Sequence, residues 1–225
     1  MKLGWPESYR LVHSRYPFVG IFDRIADPAD LEIVAELERR TNDRILDELG
    51  TISLVRAGDR VAGPGTTPIM ASFTHAKPSR FSDGAYGIYY AARHLETAIA
   101  ESRFHVEAFY RATAEPSADV DMRIYAARIA GRFDDLSSLP MSDPRLDPNS
   151  YDVSRPYGAK AYEANAYDGI VYPSVRDAEH RLAAACFRPR AISHCYSHGY
   201  VIYRWDGTQQ RIVHVLRRDT LTGFL

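Results

Sequence analysis

The chain has 225 residues, of which 45% are apolar and 25% charged, and its formal net charge is −1. That length favours one domain, or one domain with an insertion, and lets the fold bury about 70% of the unfolded surface without a disulfide or metal staple. The balanced charge gives no whole-molecule footprint for nucleic acid, the two cysteines exclude a disulfide-dense secreted scaffold, and no window approaches the roughly eighteen apolar residues of a membrane span.

The opening Met-Lys-Leu-Gly-Trp-Pro-Glu-Ser has no apolar run after its lysine, so it does not read as a signal peptide. A reduced, cytoplasmic protein is expected. Tyrosine is unusually frequent, at fifteen, and most such rings are packing residues whose hydroxyl reaches water or a partner.

Ser8 to Val12 reads as a first strand, with Arg10 and Val12 on one face. Asp27-Pro28 starts a helix: a capping aspartate, then proline at the first helical position. Leu31, Val34, Leu37, Ile45 and Leu49 follow at roughly helical spacing, and Gly50 closes the run. Ile52 to Val55 and Val61 predict a short strand or hairpin around Gly58-Asp59. The stretch from Gly63 to Pro68 is a loop; it lacks the lysine and the following helix that a phosphate-cradling loop needs. Ile69 to Phe73 predicts another strand.

Tyr86 to Ala92 predicts a buried strand and Leu95 to Arg111 a helix, with Glu101 beside the helix's apolar face. Ala118 to Ala130 predicts a strand, and residues 134–149 a loop. Pro156 places a helix start within 151–164. The run from Tyr167 to Ser174 reads as turn, buried strand and exit. Tyr200 to Trp205 and Gln210 to Leu216 predict a hairpin around Asp206-Gly207.

Several chemistries fall away. His194, Cys195 and His198 are the nearest approach to a metal cluster, without ligand spacing. Neither Cys186 nor Cys195 sits at an obvious helix N-terminus, where a thiolate would be stabilised. The glycine fingerprint of a dinucleotide-binding fold is absent, and Ser174 lacks the strand-turn-helix glycines of a nucleophilic serine. Arg10, Arg80, Tyr90, Glu101 and Ser174 remain. Two guanidiniums can hold a pyrophosphate. A ring can stack on a base, and a glutamate can stabilise an oxocarbenium-like cation. Together they suit cleavage of an N-glycosidic bond in a molecule with two phosphates, and NAD is such a molecule.

These residues resemble the RES-domain toxins of bacterial toxin–antitoxin modules, a family named for its Arg, Glu and Ser. The matching residues are Arg80-Phe81-Ser82, Gly84, Ile88 to Ala92, Ala100-Glu101 and His105. Arg10 matches the early strand arginine, Ser174 the late serine, and Phe187-Arg188-Pro189 the close of the family's pattern. Pro78-Ser79 replace the family's glycines, Phe81 its tryptophan and Ser82 its asparagine.

The resemblance implies an α+β fold: a mixed, twisted β core with flanking helices, similar to ADP-ribosyltransferases. It implies a single RES-like domain over residues 1–225, with an inserted helical segment at about 21–76. It implies a toxin that depletes NAD by hydrolysis or phosphorolysis, with NAD as substrate and no cofactor or metal. Glu101, Arg80 and Ser174 would be catalytic, and Arg10, Arg80, Tyr90 and Ser174 would hold NAD. A helix-turn-helix (Xre-type) antitoxin is the implied protein partner, with room for a homodimer in that complex, and neither nucleic acid nor membrane is contacted directly. Protein ADP-ribosylation on the same site is an alternative, and a non-catalytic partner-binding module is a second. His105 has no assigned role.

Overall fold

The computed structural model describes residues 1–15, 22–24, 27–31, 33 and 50–218. Among these residues seven strands occur in chain order: β1 (Lys2–His13), β2 (Tyr89–Ala92), β3 (Ala118–Asp135), β4 (Gly169–Pro173), β5 (Leu182–Cys186), β6 (Ile192–Asp206) and β7 (Arg211–Arg218). The α-helices among the described residues are α1 (Thr67–Thr74), α2 (Leu95–Ala112) and α3 (Ser154–Ala164). The sheet order is β1-β2-β5-β4-β3-β6-β7, and β1 also pairs with β3. That extra pairing closes β1, β2, β5, β4 and β3 into a ring, from which β6 and β7 extend. Only β3 and β4 run parallel, so the fold is α+β with a mixed sheet.

β3 explains how one sheet serves two cores. Its first half buries Val120, Met122 and Ile124 beneath α2, together with Val201, Tyr203 and Trp205 of β6. Its second half buries the opposite face, through Ala127, Ile129 and Phe133. Successive strand residues point to opposite faces, so the change from even to odd positions moves burial across the sheet. Breaks in the β3–β6 register between Ile124 and Tyr125, and between Ala126 and Arg128, accompany the change.

α2 lies over the first of these cores through Leu95, Ile99, Val106 and Tyr110. Polar contacts fix its rotation. Ser102 Oγ is 2.5 Å from the Tyr203 hydroxyl. Arg103 donates to the Ile212 carbonyl at 2.8 Å, and Glu107 accepts the Ile212 N–H at 2.9 Å. This clamp aims Glu101 and His105 away from β7.

α3 packs on the segment that carries Arg80. A Cβ on Gly158 would stand 2.2 Å from the Phe81 carbonyl oxygen, so only glycine permits this approach. Alanine would gain about 1 kcal/mol of helix propensity, but overpacking against backbone costs about 1–3 kcal/mol. The net loss, about 1 kcal/mol at the middle of these ranges, is expected to lower the melting temperature of Gly158→Ala by about 3 °C. A calorimetric scan checks this, and a raised melting temperature would contradict the close packing.

Several expectations are corrected. Residues 52–55 and 61 form no hairpin; Ile52–Leu54 and Ala57–Asp59 are single 3-10 turns. Ile69 to Phe73 is not a strand but lies in α1, which Pro68 opens in its first turn. A helix thus does follow the glycine loop. Its N-terminus is already served by a carboxylate, since Asp23 Oδ1 accepts from both the N–H and the hydroxyl of Thr67 at 2.8 Å. The strand expected from Tyr86 begins at Tyr89, and the helix expected from Pro156 begins at Ser154. Pro156 then sits in the first turn, where its missing N–H has no helical partner to lose. β5 was not anticipated. The helix expected over residues 27–50 lies mostly outside the described residues. Its start is a 3-10 turn, Pro28–Asp30, with Asp27 Oδ1 accepting the Ala29 N–H at 2.9 Å.

Candidate active site

A cavity of about 710 Å³ opens beside β1 and α2, within the size range of small-ligand sites. Arg10 of β1, Arg80 of the segment before β2, Tyr90 of β2 and Glu101 of α2 all line it. Ser174, just past β4, does not line it; the serine is fully buried and bonded to Glu101. No helix among the described residues is long and apolar enough to cross a membrane.

Among the described residues no carboxylate pairs with Arg10. Its guanidinium donates to the Tyr90 carbonyl at 3.1 Å and lies over the Tyr89 ring at 5.0 Å. Its Nε is buried without a hydrogen-bond partner. Burial holds its pKa below the ordinary arginine value, yet a guanidinium in a protein stays protonated. Arg80 is only 7% exposed. It donates to the Asp147 carbonyl at 2.9 Å and packs over the Tyr151 ring at 4.8 Å. Among the described residues neither arginine forms an ion pair, so the cavity wall holds two guanidiniums without a salt-bridge partner.

Tyr90 is fixed by its hydroxyl, which donates to Ser79 Oγ at 2.9 Å and accepts the Phe81 N–H at 3.1 Å. Burial pushes its pKa up to about 12, so the phenol is neutral. The positions that depart from the family's pattern have local work. Phe81 is buried against Tyr172, with ring centroids 5.2 Å apart. Ser82 Oγ donates to the Tyr86 carbonyl at 2.8 Å and accepts the Gly84 N–H at 3.0 Å.

Glu101 is held from behind by a ring of bonds. Ser174 Oγ accepts the Arg176 N–H at 3.2 Å and the Asp177 N–H at 3.1 Å. Its lone pairs are thus engaged, and its proton goes to Glu101 Oε1 at 2.5 Å. Asp177 Oδ2 accepts from the Thr97 hydroxyl at 2.6 Å and from Arg181 Nε at 2.7 Å. Thr97 stands one helical turn before Glu101, so the loop after β4 grips α2 at two successive turns. Sequence reasoning missed Thr97 and Asp177, which are 80 residues apart and both buried.

The Arg181 hydrogen bonds hold the Asp177 pKa well below the usual carboxylate range. Because the folded value lies below the unfolded one, the stabilisation is complete above about pH 4 and drains away as pH falls toward the folded value. Asp177→Asn keeps an acceptor for Thr97 but loses the charge. It should melt below the wild type at pH 7, with the gap narrowing between about pH 4 and pH 2. A gap independent of pH would show that the charge does not bind the loop to α2.

His105 lies one turn beyond Glu101 and also lines the cavity. Burial lowers its pKa, Glu101 opposes that, and Arg176 and Arg80 add to it. The two cysteines are buried. Burial raises the thiol pKa of Cys195 to about 12 and that of Cys186 further, so neither is a ready thiolate. Among the described residues no group of three or more His, Cys, Asp or Glu side chains is placed to hold a metal ion.

A family model described as the RES domain matches residues 54–206. The uncharacterized protein y4oC of Sinorhizobium fredii (strain NBRC 101917 / NGR234) is 27% identical over 206 residues, covering 90% of this chain and 84% of that protein. The family match takes in Arg80, Tyr90, Glu101 and Ser174 and begins after β1, so Arg10 joins the cluster through the fold. The match spans well over half of the chain, from within the expected insertion to the end of β6, and the chain belongs to the RES domain family.

Proposed function

We propose that this protein is a cytoplasmic toxin that degrades NAD by breaking the bond between nicotinamide and ribose. One observation carries this: a carboxylate held by a buried serine shares a cavity with two arginines that form no ion pair among the described residues. The arginines suit the pyrophosphate, as charge-assisted hydrogen bonds are about twice as strong as neutral ones. Tyr90 offers its ring to the nicotinamide. The free oxygen of Glu101 faces the ribose and stabilises positive charge as nicotinamide leaves.

Ser174 takes a different part from the substrate contact expected of it. It acts through Glu101, holding one oxygen so that the other stays aimed at the cavity. In this proposal a helix-turn-helix antitoxin covers the site and restrains the toxin, which acts as one domain or as a dimer in that complex.

The acceptor distinguishes degradation from transfer. Purified protein is incubated with NAD labelled in its adenosine half, with and without phosphate and with a cell lysate. Free ADP-ribose, or its phosphate ester when phosphate is present, is expected. Label on protein bands would assign the site to protein ADP-ribosylation instead. NAD left intact in every arm would favour a non-catalytic binding module.

A further inference from the structure

Glu101 and His105 are neighbours on one face of α2, a helical turn apart, and both line the cavity. Their settings differ. Glu101 already accepts a short bond from Ser174. The His105 ring stands edge-on to Phe104, with centroids 5.4 Å apart, and no described residue hydrogen-bonds its nitrogens. The cavity therefore presents an imidazole with both nitrogens available, one turn from the carboxylate.

We propose, on the basis of the NAD-cleavage reading above, that His105 is the general base that makes water the acceptor. Charge around the imidazole favours this. Glu101 faces it from its own helix, Arg176 from the loop after β4 and Arg80 from the segment before β2. The Arg176 guanidinium lies 3.3 Å from the Phe104 ring centroid, beside the histidine. Burial and the two guanidiniums outweigh the carboxylate and hold the imidazole pKa below its usual value, which favours the neutral, proton-accepting ring.

The chemistry divides between the two residues. The C1′–N bond breaks, its electron pair stays on the nicotinamide nitrogen, and neutral nicotinamide departs. Glu101 stabilises the ribosyl cation left behind. Water then forms the new C1′–O bond while one of its protons passes to a His105 ring nitrogen. The imidazolium later releases that proton to solvent. The products are ADP-ribose, nicotinamide and one proton.

This division predicts an unusual variant. In phosphate-free buffer with labelled nicotinamide present, the ribosyl cation can be captured by water, giving hydrolysis, or by nicotinamide, giving labelled NAD. Nicotinamide needs no base. His105→Gln should slow hydrolysis by about a hundredfold, a typical general-base contribution, while label exchange stays within about threefold of the wild type. In the wild type the ratio of exchange to hydrolysis should rise as falling pH protonates the imidazole, and that rise should vanish in the variant.

Equal loss of both reactions in His105→Gln and His105→Asn would make the residue structural and overturn the proposal. Unchanged hydrolysis in a folded variant would also overturn it, as would a wild type that exchanges label but never hydrolyses NAD without phosphate. The pH series on the wild type needs no variant, so a misfolded substitution does not shield the proposal. A wild type that neither exchanges nor hydrolyses in any buffer would defeat the NAD-cleavage reading itself, a separate outcome.

Discussion

Glu101→Gln is expected to cut NAD turnover by about a thousandfold while leaving the protein folded. A unit negative charge about 4 Å from a developing cation is worth about 4 kcal/mol at an effective dielectric of 20, and each 1.4 kcal/mol or so is a factor of ten in rate. Glutamine has nearly the same shape. Its carbonyl oxygen can still accept the Ser174 hydroxyl, which donates to Glu101 Oε1 at 2.5 Å. The bonds from Arg176 and Asp177 to Ser174 are unaffected, so the loop after β4 keeps its hold on α2. Only the charge is lost. Steady-state turnover with a melting curve for each protein separates the two effects. Normal turnover by the folded variant would remove Glu101 from the mechanism.

Arg10→Met is expected to raise KM for NAD by about tenfold or more without lowering the melting temperature. A hydrogen bond to a charged group contributes about 1.5–3 kcal/mol, which sets the loss in binding. Stability should move the other way. Among the described residues the guanidinium has one carbonyl partner, an unbonded buried Nε and no ion pair, and a buried charge without a paired partner is costly. Methionine is long and flexible enough to cover the Tyr89 ring that Arg10 now overlies at 5.0 Å. A fall in KM, or a large loss of stability, would show that Arg10 is a packing residue and not an anion seat.

The parts of the site that sit on regular elements were legible in the sequence. The helix carrying Glu101 was expected over Leu95 to Arg111 and spans Leu95–Ala112. The strand carrying Arg10 was expected over Ser8 to Val12 and extends to Lys2–His13. Strong periodicity made both visible. Ile69 to Phe73 is ambiguous because a run this short, apolar except for Ser72, fits a buried strand or a helix equally well. The informative residue was Pro68 at the head of the run, which suits the first turn of a helix.

β5 escaped because Ala183 to Ala185 carry little strand propensity, although the middle of the sheet uses their small size. They pair with β2 on one side and β4 on the other. The support beneath Glu101 escaped for another reason. Thr97, Ser174, Asp177 and Arg181 share no local pattern. They meet only because β4 and its following loop return against α2, so tertiary structure alone assembles the network.

Nicotinamide release is the most direct measurement. Purified protein is incubated with NAD, and both compounds are quantified over time beside the folded Glu101→Gln variant. The wild type should release one nicotinamide for each NAD consumed, and the variant almost none. NAD left intact by a folded wild type, or equal release by the two proteins, would contradict cleavage at this cavity.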